Sequence, residues 1–253
     1  MVPSGRVELP VTDDALLGGR VRYRQPARGY RVGLEAPMMA AFAVREGVRT
    51  PRSIVDLGAG PGAIGLCVAT RLSDAKVRLV ERDPLHAALA RENVAANGMQ
   101  ARVDVVESDV TKVDEALGRG SAELVVTNPP WFARASGPGS PDARREASRT
   151  LEAGSLRAFL SAGRQLLGRG ASLAIAFPAA QLVELFATLD ALGLAPKRLR
   201  LVHPRLAEPA NVAFVDARAA RPGGLVVEPP WIVRGDGDDY TPEVRALLWG
   251  QAW

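Results

Sequence analysis

The chain has 253 residues, of which 47% are hydrophobic and 24% are charged, and its formal net charge is +4. These proportions predict a globular protein with a sizeable core and exclude dominant disorder. No apolar run approaches the roughly 18 residues of a membrane helix, and the N-terminus lacks the apolar segment of a secretory signal. With one cysteine and two histidines, a disulfide framework is excluded and a metal site is disfavoured, so we expect a cytoplasmic protein with no membrane attachment and no metal.

Predicted strands and helices alternate along the chain beyond residues 1–50, which are irregular apart from one helix over residues 37–47. The predicted strands span residues 53–57, 76–81, 102–107, 123–127, 171–177, 197–203 and 211–217. The further predicted helices span residues 63–72, 84–97, 151–167 and 179–192, and a last one begins at Thr241. This alternation predicts a parallel sheet with helices on both faces. No helix separates the last two strands, which favours an antiparallel partner at the edge of the sheet.

A glycine-rich loop joins the first of these strands to its helix. Glycines allow the backbone to approach a ligand closely, and the N-terminus of the following helix offers free N–H donors. Gly60, Gly62 and Gly65 fit the spacing G-x-G-x-x-G, so the loop is compatible with a dinucleotide cofactor.

Two residues favour a different cofactor. Asp56 lies two residues before Gly58, where its carboxylate would repel a pyrophosphate, and Pro61 removes an N–H that an anion would use. S-adenosylmethionine has ammonium and sulfonium groups and no phosphate, so we expect it to be the cofactor.

Acidic residues also follow the next two strands. Glu81 ends the second strand, where a carboxylate can accept hydrogen bonds from ribose hydroxyls. Asp109 follows the third strand and could accept a hydrogen bond from the adenine amino group. The residues that we expect to bind the cofactor are Asp56, Gly58, Ala59, Gly60, Gly62, Glu81, Arg82, Asp109 and Asn128.

The segment Asn128-Pro129-Pro130-Trp131 follows the fourth strand. It resembles the Asn-Pro-Pro-aromatic motif of class I S-adenosylmethionine-dependent methyltransferases that act on planar nitrogens. An amine conjugated to a ring is a poor nucleophile, because its lone pair is delocalised. The Asn128 side-chain oxygen and the Pro129 carbonyl would accept its two N–H groups and favour the tetrahedral geometry, and Trp131 would stack on the ring. We therefore expect these three residues to be catalytic.

Further segments narrow the resemblance to the bacterial tRNA (valine) adenine-N6 methyltransferase family. They include Leu17-Gly18-Gly19-Arg20, Gly29-Tyr30-Arg31-Val32-Gly33 and Val202-His203-Pro204-Arg205. The resemblance implies a Rossmann-like α/β fold with a seven-stranded, mostly parallel sheet whose last strand is antiparallel. It also implies methylation of adenine N6 in tRNA.

The resemblance divides the chain into three parts. Residues 1–50 form an N-terminal segment with a helix that covers the cofactor site, residues 51–220 form the methyltransferase domain, and residues 221–253 form an extension packed on the same domain. Two other functions stay open at this point. One is methylation of another planar nitrogen, either guanine N2 in rRNA or a glutamine in a protein, and the other is a catalytically silent RNA-binding protein on the same fold.

Arginine supplies nearly all of the positive charge and can form forked hydrogen bonds to phosphate. Its distribution indicates where RNA would be held, although genome composition explains the arginine content equally well. One cluster comprises Arg20, Arg22, Arg24, Arg28 and Arg31. A second comprises Arg144, Arg145 and Arg149 in the polar loop 132–150. We expect both clusters to contact phosphates.

Overall fold

The computed structural model describes residues 10–29, 31–44, 50–130, 155–219 and 223–251. The strands are β1 (Val11–Leu16), β2 (Val21–Pro26), β3 (Ser53–Leu57), β4 (Lys76–Glu81), β5 (Val103–Glu107), β6 (Ala122–Thr127), β7 (Leu167–Pro178), β8 (Leu194–His203), β9 (Val212–Ala219), β10 (Val226–Val227) and β11 (Trp231–Ile232). The α-helices are α1 (Glu35–Ala43), α2 (Ala63–Arg71), α3 (Pro84–Ala96), α4 (Val113–Leu117), α5 (Ser155–Leu166), α6 (Leu182–Ala191) and α7 (Pro242–Leu248).

A mixed, mostly parallel sheet forms the centre of the molecule, in the order β10-β8-β9-β7-β6-β3-β4-β5, with β11 also paired to β8. Side chains alternate between its two faces, so that Ile54 belongs to a core that includes side chains of α1, α2, α3 and α7, whereas Val55 belongs to a second core that includes side chains of α4, α5 and α6. This two-sided covering confirms the predicted α/β class, and β9 is the antiparallel strand.

The position of β9 differs from the prediction that it lies at the edge of the sheet. It lies between β7 and β8 and is antiparallel to both. Phe214 contributes to the core on one face and Val215 to the core on the other, so both faces of β9 are buried. The short strands β10 and β11, which the sequence analysis did not predict, pair with the far side of β8.

Residues 226–248 are held against the sheet by ion pairs to β8 as well as by strand pairing with it. The Glu228 carboxylate accepts a hydrogen bond from Arg198 at 3.1 Å and forms an ion pair with Arg200 at 2.9 Å. Trp231 packs edge-on against Phe214, with ring centroids 5.7 Å apart. The predicted N-cap of the last helix is confirmed, since the Thr241 hydroxyl accepts a hydrogen bond from the backbone of α7.

The expectation of irregular structure before residue 37 is wrong, because β1 and β2 form an antiparallel hairpin. Its inward positions on β2 alternate as in any half-buried strand, with Val21 and Tyr23 buried and Arg22 exposed. Charged side chains on the outward positions obscured this alternation in the sequence. The helix predicted over residues 37–47 runs from Glu35 to Ala43, and residues 45–49 lie outside the described ranges.

Candidate active site

The carboxyl ends of β3, β4, β5 and β6 meet at one edge of the sheet, because these four strands are parallel neighbours. Ligands of open α/β sheets bind at this edge. Asp56 lies on β3, Glu81 ends β4, Asp109 follows β5 and Asn128 follows β6. The tertiary structure therefore brings these four predicted residues to one edge.

The glycine loop is held against the end of β4. Gly58 and Ala59 both donate backbone hydrogen bonds to the Val80 carbonyl, at 2.9 and 3.0 Å. Gly60 donates its N–H to Oε2 of Glu81 at 2.8 Å. Gly60 has a φ of +55°, and among the described residues no atom beyond its own chain neighbours lies within 4 Å of the position where a Cβ would stand. The loop thus presents bare backbone to open space at Gly60.

Close packing of α2 on β4 directs the N-terminus of α2 at this loop. Gly62 begins the helix with a φ of +94°, which favours glycine. A Cβ on Gly65 would stand 2.1 Å from Cδ2 of Leu79, a distance that packed atoms do not tolerate. Only a glycine at position 65 allows the helix to approach the strand this closely.

Asp56 is buried beneath the loop, with 1% of its surface exposed. Its Oδ2 accepts the N–H of Gly65 at 2.8 Å, whereas Oδ1 is buried without a hydrogen-bond partner among the described residues. Burial raises the pKa of Asp56 to about 7; the Gly65 hydrogen bond opposes this shift, and the nearby Glu81 carboxylate adds to it. A buried carboxylate with a spare oxygen is a site that a cation would stabilise.

Glu81 connects the glycine loop to the start of α3. Its Oε1 accepts the N–H of Asp83 at 2.8 Å, while Oε2 holds Gly60. Asp83 in turn caps α3 by accepting from the backbone of Leu85 at 2.8 Å. A carboxylate oxygen can accept more than one hydrogen bond, so Glu81 keeps capacity for a ligand hydroxyl.

Asp109 is the N-cap of a short helical turn. Its Oδ1 accepts from the backbone and the hydroxyl of Thr111, at 2.9 and 2.8 Å, and its Oδ2 lies 3.5 Å from a guanidinium nitrogen of Arg82. The backbone N–H of Thr111 contributes most to holding the pKa of Asp109 below its ordinary value. Arg82 and Asp109 are thus brought together, with the carboxylate directed largely into its own turn.

The end of β6 is joined to the strand that leads into the glycine loop. The Thr127 hydroxyl donates a buried hydrogen bond of 2.9 Å to the Leu57 carbonyl. Asn128 is half-buried at this point and Pro129 is buried. Trp131, the loop 132–150 and its three arginines lie outside the described residues.

Comparison with known proteins assigns the chain to a family. A model of the methyltransferase small domain matches residues 39–141. A tRNA1(Val) (adenine(37)-N6)-methyltransferase of Porphyromonas gingivalis strain W83 is 30% identical over 181 residues, which cover 70% of this chain and 68% of the relative. The chain therefore belongs to the same methyltransferase family as this relative. A relative with the same name from Shewanella halifaxensis is 28% identical over 206 residues, which cover 81% of this chain and 71% of that protein.

Solved structures show the same class I methyltransferase fold. A predicted O-methyltransferase of Agrobacterium tumefaciens superposes with a TM-score of 0.69 at 27% identity, covering 86% of this methyltransferase and 96% of that chain. TYW2 of Pyrococcus horikoshii, solved in complex with MeSAdo, superposes with a TM-score of 0.57 at 18% identity and covers 82% of this chain and 70% of its own. The protein is an S-adenosylmethionine-dependent methyltransferase.

The residues present in the methyltransferase fit this cofactor. The negative charge of Asp56 beneath the loop suits a positively charged ammonium group, Glu81 can receive hydroxyl groups, and the bare backbone at Gly60 allows a ligand to approach closely. Within the described ranges, no three His, Cys, Asp or Glu side chains are grouped as metal ligands, and no helix has the length and apolar character to cross a membrane.

Sequence analysis missed two residues that shape the glycine loop of the methyltransferase. The ring of Phe159, on α5, lies against Gly58, where a Cβ would stand 2.7 Å from Cε1. Asn93, on α3, donates a hydrogen bond of 2.9 Å to the Pro61 carbonyl. Phe159 had no distinguishing sequence signal. The spacing of Asn93 and Asn97, one turn apart on a predicted helix, was a signal that could have been noticed.

Proposed function

We propose that this methyltransferase transfers a methyl group to the exocyclic N6 of an adenine in tRNA. The observation that carries the proposal is the position of Asn128 and Pro129, at the end of β6 and directly beside the strand that enters the glycine loop. The names of the relatives from Porphyromonas gingivalis and Shewanella halifaxensis support adenine N6 of a valine tRNA as the substrate.

The proposed chemistry divides the site into a cofactor side and an amine side. When bound, S-adenosylmethionine supplies an electrophilic methyl group on a cationic sulfur. Asp56 and Glu81 would hold its ammonium and ribose groups. The Asn128 side-chain oxygen and the Pro129 carbonyl would accept the two N–H groups of the target amine, so that the nitrogen lone pair faces the methyl carbon. The nitrogen becomes acidic once methylated, so the proton can leave without a strong general base.

Fewer arginines of the first cluster are available to phosphate than the sequence predicts, because three of them form ion pairs or hydrogen bonds with other residues of the protein. Arg24 pairs with Asp13 and Glu92, Arg31 pairs with Asp14, and Arg20 donates to the Gly250 carbonyl. Arg22 and Arg28 are exposed. We therefore propose that these two side chains, together with Arg144, Arg145 and Arg149, contact RNA phosphates.

The proposal is tested by methylation of unmodified valine tRNA with isotopically labelled S-adenosylmethionine, followed by mass spectrometry of the nucleosides. We expect label in N6-methyladenosine and none in other nucleosides. A deletion strain should show the matching loss from its tRNA. Label in N2-methylguanosine, in a ribose 2′-O-methyl group or in a glutamine residue of a protein would overturn the proposed substrate. RNA binding without transfer to any acceptor would instead support the catalytically silent alternative.

Glu81→Ala should weaken cofactor binding by about 1.5–3 kcal/mol, because charge-assisted hydrogen bonds are lost. The variant also frees the Gly60 amide, which acts in the same direction. Isothermal titration calorimetry with S-adenosylhomocysteine measures the change. Glu107→Ala is the matched control, since Glu107 ends β5 opposite Glu81 in the sheet and its carboxylate pairs with Arg91 at 3.3 Å. Equal affinities for the Glu81 and Glu107 variants would place the cofactor elsewhere.

A further inference from the structure

One completely buried side-chain amide joins the glycine loop to the N-terminal hairpin. Asn93 on α3 has 0% of its surface exposed. Its Oδ1 accepts the backbone N–H of Arg24 at 2.7 Å, and its Nδ2 donates to the carbonyls of Arg24 and Pro61, both at 2.9 Å. Both N–H groups and the oxygen of this amide are therefore used, and they contact two separate segments of the chain.

A second asparagine repeats half of this arrangement. Asn97 accepts the N–H of Arg22 at 2.9 Å and donates to the Arg22 carbonyl at 2.7 Å. The two asparagines reach two alternate residues of β2 because the spacings are similar. Four residues of helix, from position 93 to 97, advance by about 6 Å, and two residues of strand advance by about 6.6–6.8 Å. The two amides thus pair with β2 much as the backbone of a neighbouring strand would.

The second N–H of each amide distinguishes the two residues. In Asn93 it reaches the Pro61 carbonyl in the glycine loop, whereas in Asn97 it returns to the Asn93 carbonyl within the same helix. Both asparagines therefore hold the hairpin, but only Asn93 holds the loop.

The loop depends on such contacts from outside, because residues 58–62 carry almost no side chains of their own. Gly58, Gly60 and Gly62 all have positive φ angles and would be free to adopt others. The backbone bonds to Val80 hold the first end of the loop, Glu81 holds its centre, and Asn93 holds its last part at Pro61. Without the Asn93 bond, the part of the loop that leads into α2 would be held, within the described residues, only by backbone hydrogen bonds from Gly62 to Ala59 and from Leu66 to Gly62, both at 2.9 Å.

We propose that Asn93 is a positioning residue for the cofactor. It sets the conformation of the glycine loop through the Pro61 carbonyl, and it couples that conformation to the N-terminal hairpin through Arg24. The inference rests on the proposed function, in that it takes the glycine loop as the place where S-adenosylmethionine binds. A consequence is that cofactor binding and the order of the hairpin stabilise each other.

The matched pair Asn93→Ser and Asn97→Ser tests the proposal. Both variants should speed amide hydrogen exchange in β2, since each removes contacts to that strand. Only Asn93→Ser should also speed exchange over residues 58–62 and weaken S-adenosylhomocysteine binding, by about three- to tenfold for the loss of one or two neutral hydrogen bonds. Melting temperatures measured in parallel separate loss of affinity from a general loss of stability.

Equal cofactor affinities for the two variants, or unchanged exchange at residues 58–62 in Asn93→Ser, would overturn the proposal. A measurement on the unaltered protein decides the matter if Asn93→Ser does not fold. Saturation with S-adenosylhomocysteine should then slow exchange of the Asn93 side-chain amide more than that of Asn97, because only Asn93 contacts the loop directly, and an unchanged Asn93 amide or an equal response of the two would contradict the positioning role.

The Glu81→Ala variant distinguishes failure of this inference from failure of the proposed function. Full cofactor affinity in Glu81→Ala would show that the glycine loop is not the binding site, whatever Asn93 does. Lost affinity in Glu81→Ala with full affinity in Asn93→Ser would retain the site and reject the positioning role.

Discussion

Asn128→Ala is expected to slow methyl transfer by about two to three decades, the usual cost of removing a well-placed polar stabiliser. The N–H bonds of the target amine become more polar as the nitrogen gains positive charge. The Asn128 oxygen therefore stabilises the transition state more than it stabilises bound substrate. Single-turnover methylation of unmodified tRNA measures the rate, and separate titrations with tRNA and S-adenosylhomocysteine measure binding, which should change little.

Asn128→Asp is the matched control for this experiment. It keeps an acceptor oxygen in the same volume, so its rate should lie well above that of Asn128→Ala. A normal single-turnover rate in Asn128→Ala would remove the side chain from the chemistry and leave the Asn-Pro-Pro segment as the terminator of β6.

Cofactor affinity is expected to rise as the pH rises towards and beyond 7, because of Asp56. The pKa of this buried carboxyl lies at about 7 in the protein without cofactor. A cationic ammonium group binds the carboxylate form, so binding below this pKa requires release of a proton. The affinity should then approach a tenfold fall for each pH unit well below the pKa, and it should fall by about fiftyfold between pH 7, where half of the carboxyl groups are protonated, and pH 5. Calorimetry over this range, in buffers of different ionisation enthalpy, measures both the affinity and the proton released.

Asp56→Asn should bind the cofactor weakly and with little dependence on pH, since no group titrates at that position. The raised pKa of Asp56 also makes the free energy of unfolding of the unaltered protein depend on pH. An unfolded chain ionises Asp56 near its ordinary pKa of 3.8, whereas the folded protein keeps the proton up to about 7. The contribution of Asp56 to stability is therefore largest at acid pH and is lost as the pH rises from about 4 to 7. A steep pH dependence of affinity that persists in Asp56→Asn would assign the titration to another group.

Much of the fold could be predicted from local patterns. Alternating apolar strands and helices indicate a parallel sheet covered on both faces, and this prediction is confirmed. The interior placement of β9 could not be predicted in this way. An apolar strand such as Val212–Ala219 is equally compatible with an interior or an edge position until the segments that cover the far side of β8 are known.

By itself, the sequence determined which residues would stand together at the candidate site. Asp56, Glu81, Asp109 and Asn128 each lie at or just beyond the end of a parallel strand, and such ends meet at one edge of a sheet whatever the rest of the chain does. Their roles towards cofactor and amine remain predictions. The alternation of strands and helices and the glycine loop could also be predicted, because each is encoded by residues that are adjacent in the chain.

Only the tertiary structure decided which contacts hold the loop and which charges remain available. The Asn93 side chain reaches Pro61, 32 positions away in the chain, and that pairing depends on how α3 packs against the sheet. Arg24 and Arg31 are paired by carboxylates that the folding of the hairpin brings to them, which leaves Arg22 exposed. Contacts of this kind depend on distances between elements rather than on the order of residues, so they become visible only when the elements are packed together.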